Sequence, residues 1–82
     1  MEVNPNPTRG RGNFRFHLAR ETIASLRVHN AAGRFVAEPV CGRLAAGAHE
    51  FAWPAGELPA GVYYFTLNAE GRSETRSVTV TR

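Results

Sequence analysis

The sequence predicts an all-β protein, an antiparallel β-sandwich of six to seven strands. Apolar and polar residues alternate with a period of two in several short segments, which is the pattern of half-buried strands. Turn-forming residues separate these segments at intervals of roughly 8 to 12 positions, and no segment has a helical period. A small open barrel produces the same pattern, so the residues alone leave both architectures open.

The first 12 residues are predicted to be an extended leading segment. Each residue before a proline in Asn4-Pro5-Asn6-Pro7 is disfavoured in the helical region, and the glycine-containing stretch 8–12 is predicted to be a mobile loop. The strand that follows, 13–18, alternates most clearly, with Phe14, Phe16 and Leu18 on its inward face.

The next predicted strand begins at Ile23 and directs Ala24, Leu26 and Val28 to one face. Residues 30–33 (Asn-Ala-Ala-Gly) are predicted to be a short hairpin loop, because Asn and Gly accept positive φ. The strand 34–40 is limited to a sheet edge or a bulge by Pro39, and 41–44 is predicted to be a separate short strand.

A further strand carries His49, Phe51 and Trp53 on one face, and Trp53 is predicted to pack in the core with Tyr63 or Phe65. The most apolar stretch, 62–67, is predicted to be a central strand covered on both faces. The last predicted strand, 75–81, buries two valines on its inward face, Val78 and Val80.

Two interpretations fit the start of the central strand: a tyrosine corner, or a core strand that simply carries two aromatic residues. Pro59 precedes the strand, where its missing N–H costs no ladder bond. Gly61 is predicted to mark a corner where a Cβ would be in the way, and the phenol of Tyr63 is predicted to reach back and cap that corner.

Composition indicates one small domain, residues 1–82, with a hydrophobic fraction of 43% and a formal charge of +3. All ten basic residues are Arg, and they are spread along the chain, which favours ordinary surface charge over a nucleic-acid interface. No apolar run approaches the roughly 20 residues that span a membrane, so no membrane insertion is expected. No signal peptide is visible after Met1, so we expect a C-terminal module of a longer protein whose export signal lies elsewhere.

No catalytic or metal-binding constellation is predicted, and no cofactor. The three His residues lie on three different predicted strands, and the carboxylates of Glu50, Glu57, Glu70 and Glu74 are predicted to be solvated. Cys41 has no partner for an internal disulfide and is predicted to be buried or half-buried. If it were exposed in an oxidising compartment, self-association through it would be possible.

Several segments in order resemble a known family: Asn4–Pro7, Leu26–Arg34, Leu44–Trp53, Leu58–Tyr63 and Arg76–Arg82. The chain resembles the C-terminal sorting domain, type A, of proteins exported by the type IX (Por) secretion system. It is also similar to the immunoglobulin-like domain of the flagellar hook-capping protein, which shares the pattern Gly-x-His, Trp, Gly-x-Tyr.

The resemblance implies an immunoglobulin-like sandwich without enzyme activity. It implies a targeting module that carries an upstream cargo domain of the same chain through the outer-membrane secretion machinery of a Gram-negative bacterium, so that the product is secreted or held at the cell surface. The residues that would be recognised are Asn4, Pro5, Asn6, Pro7, Gly33, Arg34, Gly61, Tyr63, Arg76 and Arg82. Family members usually carry Lys near the end, where this chain has Arg.

Two other functions fit the same residues. The first is a structural or adhesive spacer or assembly domain of an extracellular protein or filament. The second is a carbohydrate-binding accessory module, which predicts a planar row of exposed aromatic side chains, and only Phe35 and Tyr64 are plausible members of such a row.

Overall fold

A computed structural model describes residues 2–4, 12–53 and 58–81, with side chains from residue 12 onward. It contains seven strands in chain order: β1 (Glu2–Asn4), β2 (Gly12–Leu18), β3 (Thr22–Asn30), β4 (Phe35–Leu44), β5 (Gly47–Trp53), β6 (Gly61–Ala69) and β7 (Arg72–Val80). The all-β class is confirmed.

The strands form two antiparallel sheets, one of three strands in the order β1-β2-β5 and one of four in the order β4-β3-β6-β7. No strand pairing joins the two sheets in the described part of the chain. The architecture is therefore a sandwich rather than a barrel. The chain crosses between the sheets after β2, after β4 and after β5.

The core lies between the sheets and is built from alternate residues of the facing strands, as the period of two predicts. Its buried members are Phe14, Phe16, Leu18, Ala24, Leu26, Val28, Val40, Trp53, Tyr63, Phe65, Leu67, Val78 and Val80. The ring of Phe65 is central, since it meets Trp53 edge-on at 4.8 Å and Phe14 at 5.9 Å between centroids. The predicted contact between Trp53 and Phe65 is confirmed.

The prediction that the central strand is covered on both faces is wrong. β6 lies between β3 and β7, but only Tyr63, Phe65 and Leu67 point into the core. Val62 and Tyr64 lie on the opposite face and are exposed. Nothing among the described residues packs on that face, because a two-layer sandwich covers each sheet on one side only.

β4 is a single edge strand of 10 residues, so residues 41–44 continue it instead of forming a separate strand. Its register against β3 shifts twice, between Leu26 and Val28 and between Val28 and His29. The edge position and the bulges agree with the prediction from Pro39. Cys41 is exposed, not buried as predicted, because it follows the buried Val40 and so points to the outer face.

Both hairpins within the four-stranded sheet have turn residues with positive φ. In the β3–β4 loop the side chain of Asn30 accepts hydrogen bonds from the N–H groups of Ala32 and Arg34, both at 3.0 Å, and Gly33 has φ 83°. The β6–β7 hairpin turns on Glu70 (φ 56°) and Gly71 (φ 72°). These two signs are those of a type I′ turn, which matches the twist of the strands.

The loop predicted over 8–12 is wrong at its last residue, because Gly12 is the first residue of β2. It lies opposite Trp53 in the register. A Cβ placed on Gly12 would lie 2.5 Å from the indole Nε1 and 2.7 Å from Cε2. The glycine is therefore required by the close approach of the backbone to the indole ring.

Candidate functional site

Each of the three crossings between the sheets is tied by a side chain that hydrogen-bonds to backbone. The crossing after β5 is tied by Tyr63, the crossing after β4 by His49, and the crossing after β2 by Glu70. These ties hold the connections at the two ends of the sandwich, and five of the predicted recognition residues lie toward one of these ends.

The first tie, which we name the corner, is the hydrogen bond from the hydroxyl of Tyr63 to the carbonyl of Pro59, at 2.6 Å. The ring of Tyr63 is buried while its hydroxyl reaches the partly buried turn before β6. This is the tyrosine corner that the sequence predicts, near the start of the strand that follows a crossing.

Gly61 belongs to the corner for a different reason than predicted. A Cβ on Gly61 would meet nothing within 4 Å, so the prediction of a steric conflict is wrong. Its φ is 153°, a value that side chains with a Cβ rarely adopt. The backbone dihedral, not lack of space, favours glycine here.

The second tie, which we name the clasp, is formed by Glu70. Its Oε1 accepts hydrogen bonds from the backbone N–H of Ala19 at 2.8 Å and of Arg20 at 3.2 Å. The carboxylate is exposed, as predicted, but it also has two backbone partners, which the sequence did not predict. The type I′ hairpin places Glu70 over the β2–β3 connection, so the tip of one sheet's hairpin holds the link to the other sheet.

The third tie lies at the crossing after β4. The Nε2 atom of His49 lies 2.8 Å from the carbonyl oxygen of Ala45, and the imidazole stacks on Phe16 with 5.5 Å between centroids. These contacts explain why a histidine follows the turn glycine Gly47 by two positions. They also indicate that His49 serves the fold.

The predicted recognition residues divide into three groups. The first group lies toward the end of the sandwich that holds the corner, because Asn4 pairs with Asn13 and Asn30 pairs with Tyr63. Its members are Asn4, Gly33, Arg34, Gly61 and Tyr63. Arg76 lies mid-strand opposite Phe65 and forms an ion pair with Glu74 at 3.0 Å. Pro5, Asn6, Pro7 and Arg82 lie outside the described residues. Gly61 and Tyr63 thus act in the fold, and Arg34 is an exposed candidate for contact.

The outer faces of the two sheets differ in chemistry. The three-stranded sheet presents Asn13, Arg15 and His17 from β2 and Ala48, Glu50 and Ala52 from β5, which are small or polar. The four-stranded sheet presents the exposed apolar side chains Ile23, Phe35, Val62 and Tyr64. Sequence reasoning singled out two of these, and only the sheet order shows that they share a face.

No group of three or more His, Cys or acidic side chains in the described residues is placed to hold a metal ion. No helix long and apolar enough to cross a membrane occurs in that same part of the chain. Two concavities formed by described residues are open to solvent. They lie at the clasp end of the molecule, beside the β6–β7 hairpin.

Comparison with known proteins agrees with this architecture. No protein of curated function matches the chain in a sequence search. Residues 4–73 match the family of the FlgD Ig-like domain. This range begins at the last residue of β1, covers β2 to β6 and ends at the second residue of β7, and it includes the corner, the clasp and the His49 tie. The chain therefore belongs to the FlgD Ig-like domain family, a family of immunoglobulin-like structural domains.

Proposed function

We propose that this domain is a non-catalytic structural module that spaces and orients the neighbouring parts of an extracellular protein or filament. The observation that carries the proposal is the family match over residues 4–73, on a sandwich in which all three crossings are tied. Side-chain ties at the crossings limit bending of one sheet against the other, and a spacer needs that rigidity.

The dimensions suit such a role. The molecule measures 37 × 22 × 15 Å along its principal axes, so it separates attached partners by up to a fixed length of nearly 40 Å. A flexible Gly/Ser segment would hold no fixed length, because its end-to-end distance fluctuates as a random coil. The proposed function is therefore mechanical: a constant separation and orientation.

Replacement of the domain within its parent protein tests this proposal. One variant carries an unrelated immunoglobulin-like sandwich of similar length, and a second carries a flexible Gly/Ser linker of 82 residues. A spacer predicts that the foreign sandwich preserves the amount of assembled parent protein in the surface fraction, while the linker lowers it. Equal loss in both variants would show that specific surface residues matter, and equal retention would show that no fixed length is needed.

The targeting role implied by the type IX resemblance is a finer proposal for the same fold. It requires that the secretion machinery recognise exposed residues, of which Arg34 and Arg76 are the described candidates. A reporter with a signal peptide and the full chain would reach the surface of a type IX-competent host but not of a host that lacks the translocon. Arg34→Ala would reduce export while the thermal unfolding midpoint stays unchanged. Periplasmic retention of the folded reporter in both hosts would overturn the targeting role.

A further inference from the structure

One side of β5 pairs with no strand in the described part of the chain. The two sheets have four edge strands, β1, β4, β5 and β7. β4 is interrupted by Pro39 and two register shifts, β7 carries the ion pair of Arg76 with Glu74, and β1 has three residues. Such features protect an edge against added strands. β5 instead pairs with β2 over all seven of its residues without a register shift, and it contains no proline or lysine.

The side of β5 away from β2, which we name the open edge, is a row of backbone groups. In an antiparallel sheet alternate residues direct their N–H and C=O groups to opposite sides, so about half of those of β5 point away from β2. No described backbone group pairs with them. A row with this spacing matches the backbone of another extended chain.

Partly buried apolar side chains lie along the same flank of the sandwich. Only residues 45 and 46 separate β4 from β5, so these two edge strands lie on one flank. Phe51 of β5 and Val36 and Leu44 of β4 pack against the core but are only partly buried. The three-stranded sheet is one strand narrower than the sheet that it faces. A strand added to the open edge would make four strands face four and would cover these side chains, which is favourable.

The centre of β5 carries a carboxylate that is available to a neighbouring strand. Glu50 lies midway along β5 on the outer face, between Ala48 and Ala52, and it is exposed. Arg15 lies opposite it on β2, but no ion pair joins the two side chains, and Glu50 has no other described partner. A carboxylate has two oxygens that accept hydrogen bonds from several directions. Glu50 can therefore receive a basic side chain from a strand at the open edge.

β2 shows which side chains suit a neighbour of β5. The central opposite pairs of the two strands are Phe14 with Phe51, Arg15 with Glu50, and Phe16 with His49. The rings of the first and third pairs stack with 5.4 and 5.5 Å between centroids. The same side chains of β5 also face the open edge, because cross-strand neighbours lie on both sides of a strand. A matching strand would therefore carry a basic residue between two apolar ones.

A second copy of this chain fits the open edge poorly. If two β5 strands paired antiparallel along their full length, Glu50 of one copy would lie opposite Glu50 of the other. Like charges directly opposite each other destabilise a sheet. Sliding one copy by two residues separates the carboxylates but leaves only five of the seven residues paired. Glu50 thus disfavours self-association and favours a basic strand.

We propose that the open edge of β5 binds an extended segment of another protein as an added antiparallel strand, and that this segment carries a basic residue between two apolar ones. Its apolar side chains would pack beside His49 and Phe51, and its basic side chain would pair with Glu50. Backbone hydrogen bonds supply affinity in such complexes, and alternate side chains supply specificity. This binding activity is separate from the spacer role and does not depend on it.

The test uses the isotope-labelled full chain and a capped synthetic peptide with the sequence of residues 12–18, which has the required pattern. A comparison peptide carries Glu in place of its Arg. In a nuclear magnetic resonance titration the Arg peptide should shift the amide signals of β5 and slow their hydrogen exchange. The Glu peptide should bind up to about fivefold more weakly, because it places like charges opposite each other. Glu50→Arg should reverse the order of the two peptides.

The control variant is Ser73→Arg, which adds a cation at an exposed position of β7, the edge strand of the other sheet on the opposite flank. It should bind both peptides as the unaltered chain does, and thermal unfolding checks that each variant is folded. Four results would overturn the proposal: no binding of either peptide, signal shifts centred on β4 or β7, an unchanged peptide order in Glu50→Arg, or loss of hydrogen-exchange protection in β2, which would show that the peptide replaces that strand.

Discussion

The corner and the clasp perform the same task at opposite ends of the sandwich with different chemistry. The corner uses a buried aromatic ring whose hydroxyl reaches a carbonyl four residues earlier, at 2.6 Å. The clasp uses an exposed carboxylate that reaches backbone N–H groups 51 and 50 residues earlier, at 2.8 and 3.2 Å. A hydrogen bond between residues four positions apart can be predicted from their spacing in the sequence. A hydrogen bond between residues 51 positions apart is found only from the tertiary structure.

The two ends also differ in the structural constraint that acts on their residues. At the corner end the indole of Trp53 packs against Gly12, so a larger side chain at position 12 would destabilise the fold. The clasp end places a residue with a Cβ at φ 56°, which is uncommon outside glycine and asparagine. The hydrogen bonds of the carboxylate compensate for that conformation. Four predictions test this contrast, beginning with the largest expected effect.

Gly12→Ala is expected to lower the free energy of unfolding by about 2–3 kcal/mol, because the new Cβ would overlap the indole of Trp53. Urea unfolding followed by tryptophan fluorescence measures the loss. Gly61→Ala is the matched control at the same end, with strain from its φ but no overlap, and it should cost about 1 kcal/mol. The difference should shrink when Gly12→Ala is combined with Trp53→Phe; an undiminished cost in that background would contradict the overlap.

Glu70→Ala is expected to lower the free energy of unfolding by about 1–2 kcal/mol, because two backbone N–H groups lose a charged acceptor while water replaces it in part. Both residues carry a Cβ, so the cost of positive φ is nearly unchanged. Glu70→Gln keeps a neutral acceptor and should lose about half as much. Glu50→Ala, an exposed carboxylate on a strand, should change stability by less than about 0.5 kcal/mol; equal effects at both positions would show that no clasp exists in solution.

Tyr63→Phe is expected to cost about 1 kcal/mol, the net contribution of one hydrogen bond, with the ring and its packing retained. The neighbouring tyrosine supplies the control, because Tyr64→Phe removes a hydroxyl from an exposed ring. Chemical unfolding of both variants should separate them. If they lose the same stability, the corner hydrogen bond contributes nothing.

The smallest expected effect is the coupling between the two ends. The costs of Tyr63→Phe and Glu70→Ala should add within about 0.5 kcal/mol, because the sites share no partner. A double-mutant cycle in urea measures the coupling energy. A value above about 1 kcal/mol would show that the two crossings are not independent ties.

Much of the fold could be predicted because its signals are local. The alternation in β2 and β3 identified the inward residues, and Pro39 identified an edge strand. The errors have a common origin. The strand from Val62 to Leu67 was predicted to be covered on both faces because its apolar residues are continuous, but burial depends on how many layers surround a sheet.

The outer face of the four-stranded sheet shows the same limit. Phe35 and Tyr64 are plausible surface rings from the sequence, but only the pairings of β3 with two different strands show that His29 lies between them. Two register shifts in β4 bring Phe35 opposite His29, and no short sequence pattern reports such bulges. The recognition role predicted for Gly61 and Tyr63 stays a prediction, and the structure adds their part in the fold.

By itself, the sequence determined the strand periodicity, the turns and the corner, because each depends on residues within a few positions of one another. Only the tertiary structure decided that Glu70 holds the β2–β3 connection, that Gly12 lies under Trp53, and that three rings share one outer face. These depend on which strands become neighbours. That choice is made by the joint burial of apolar faces from the whole chain, a property that no single segment carries.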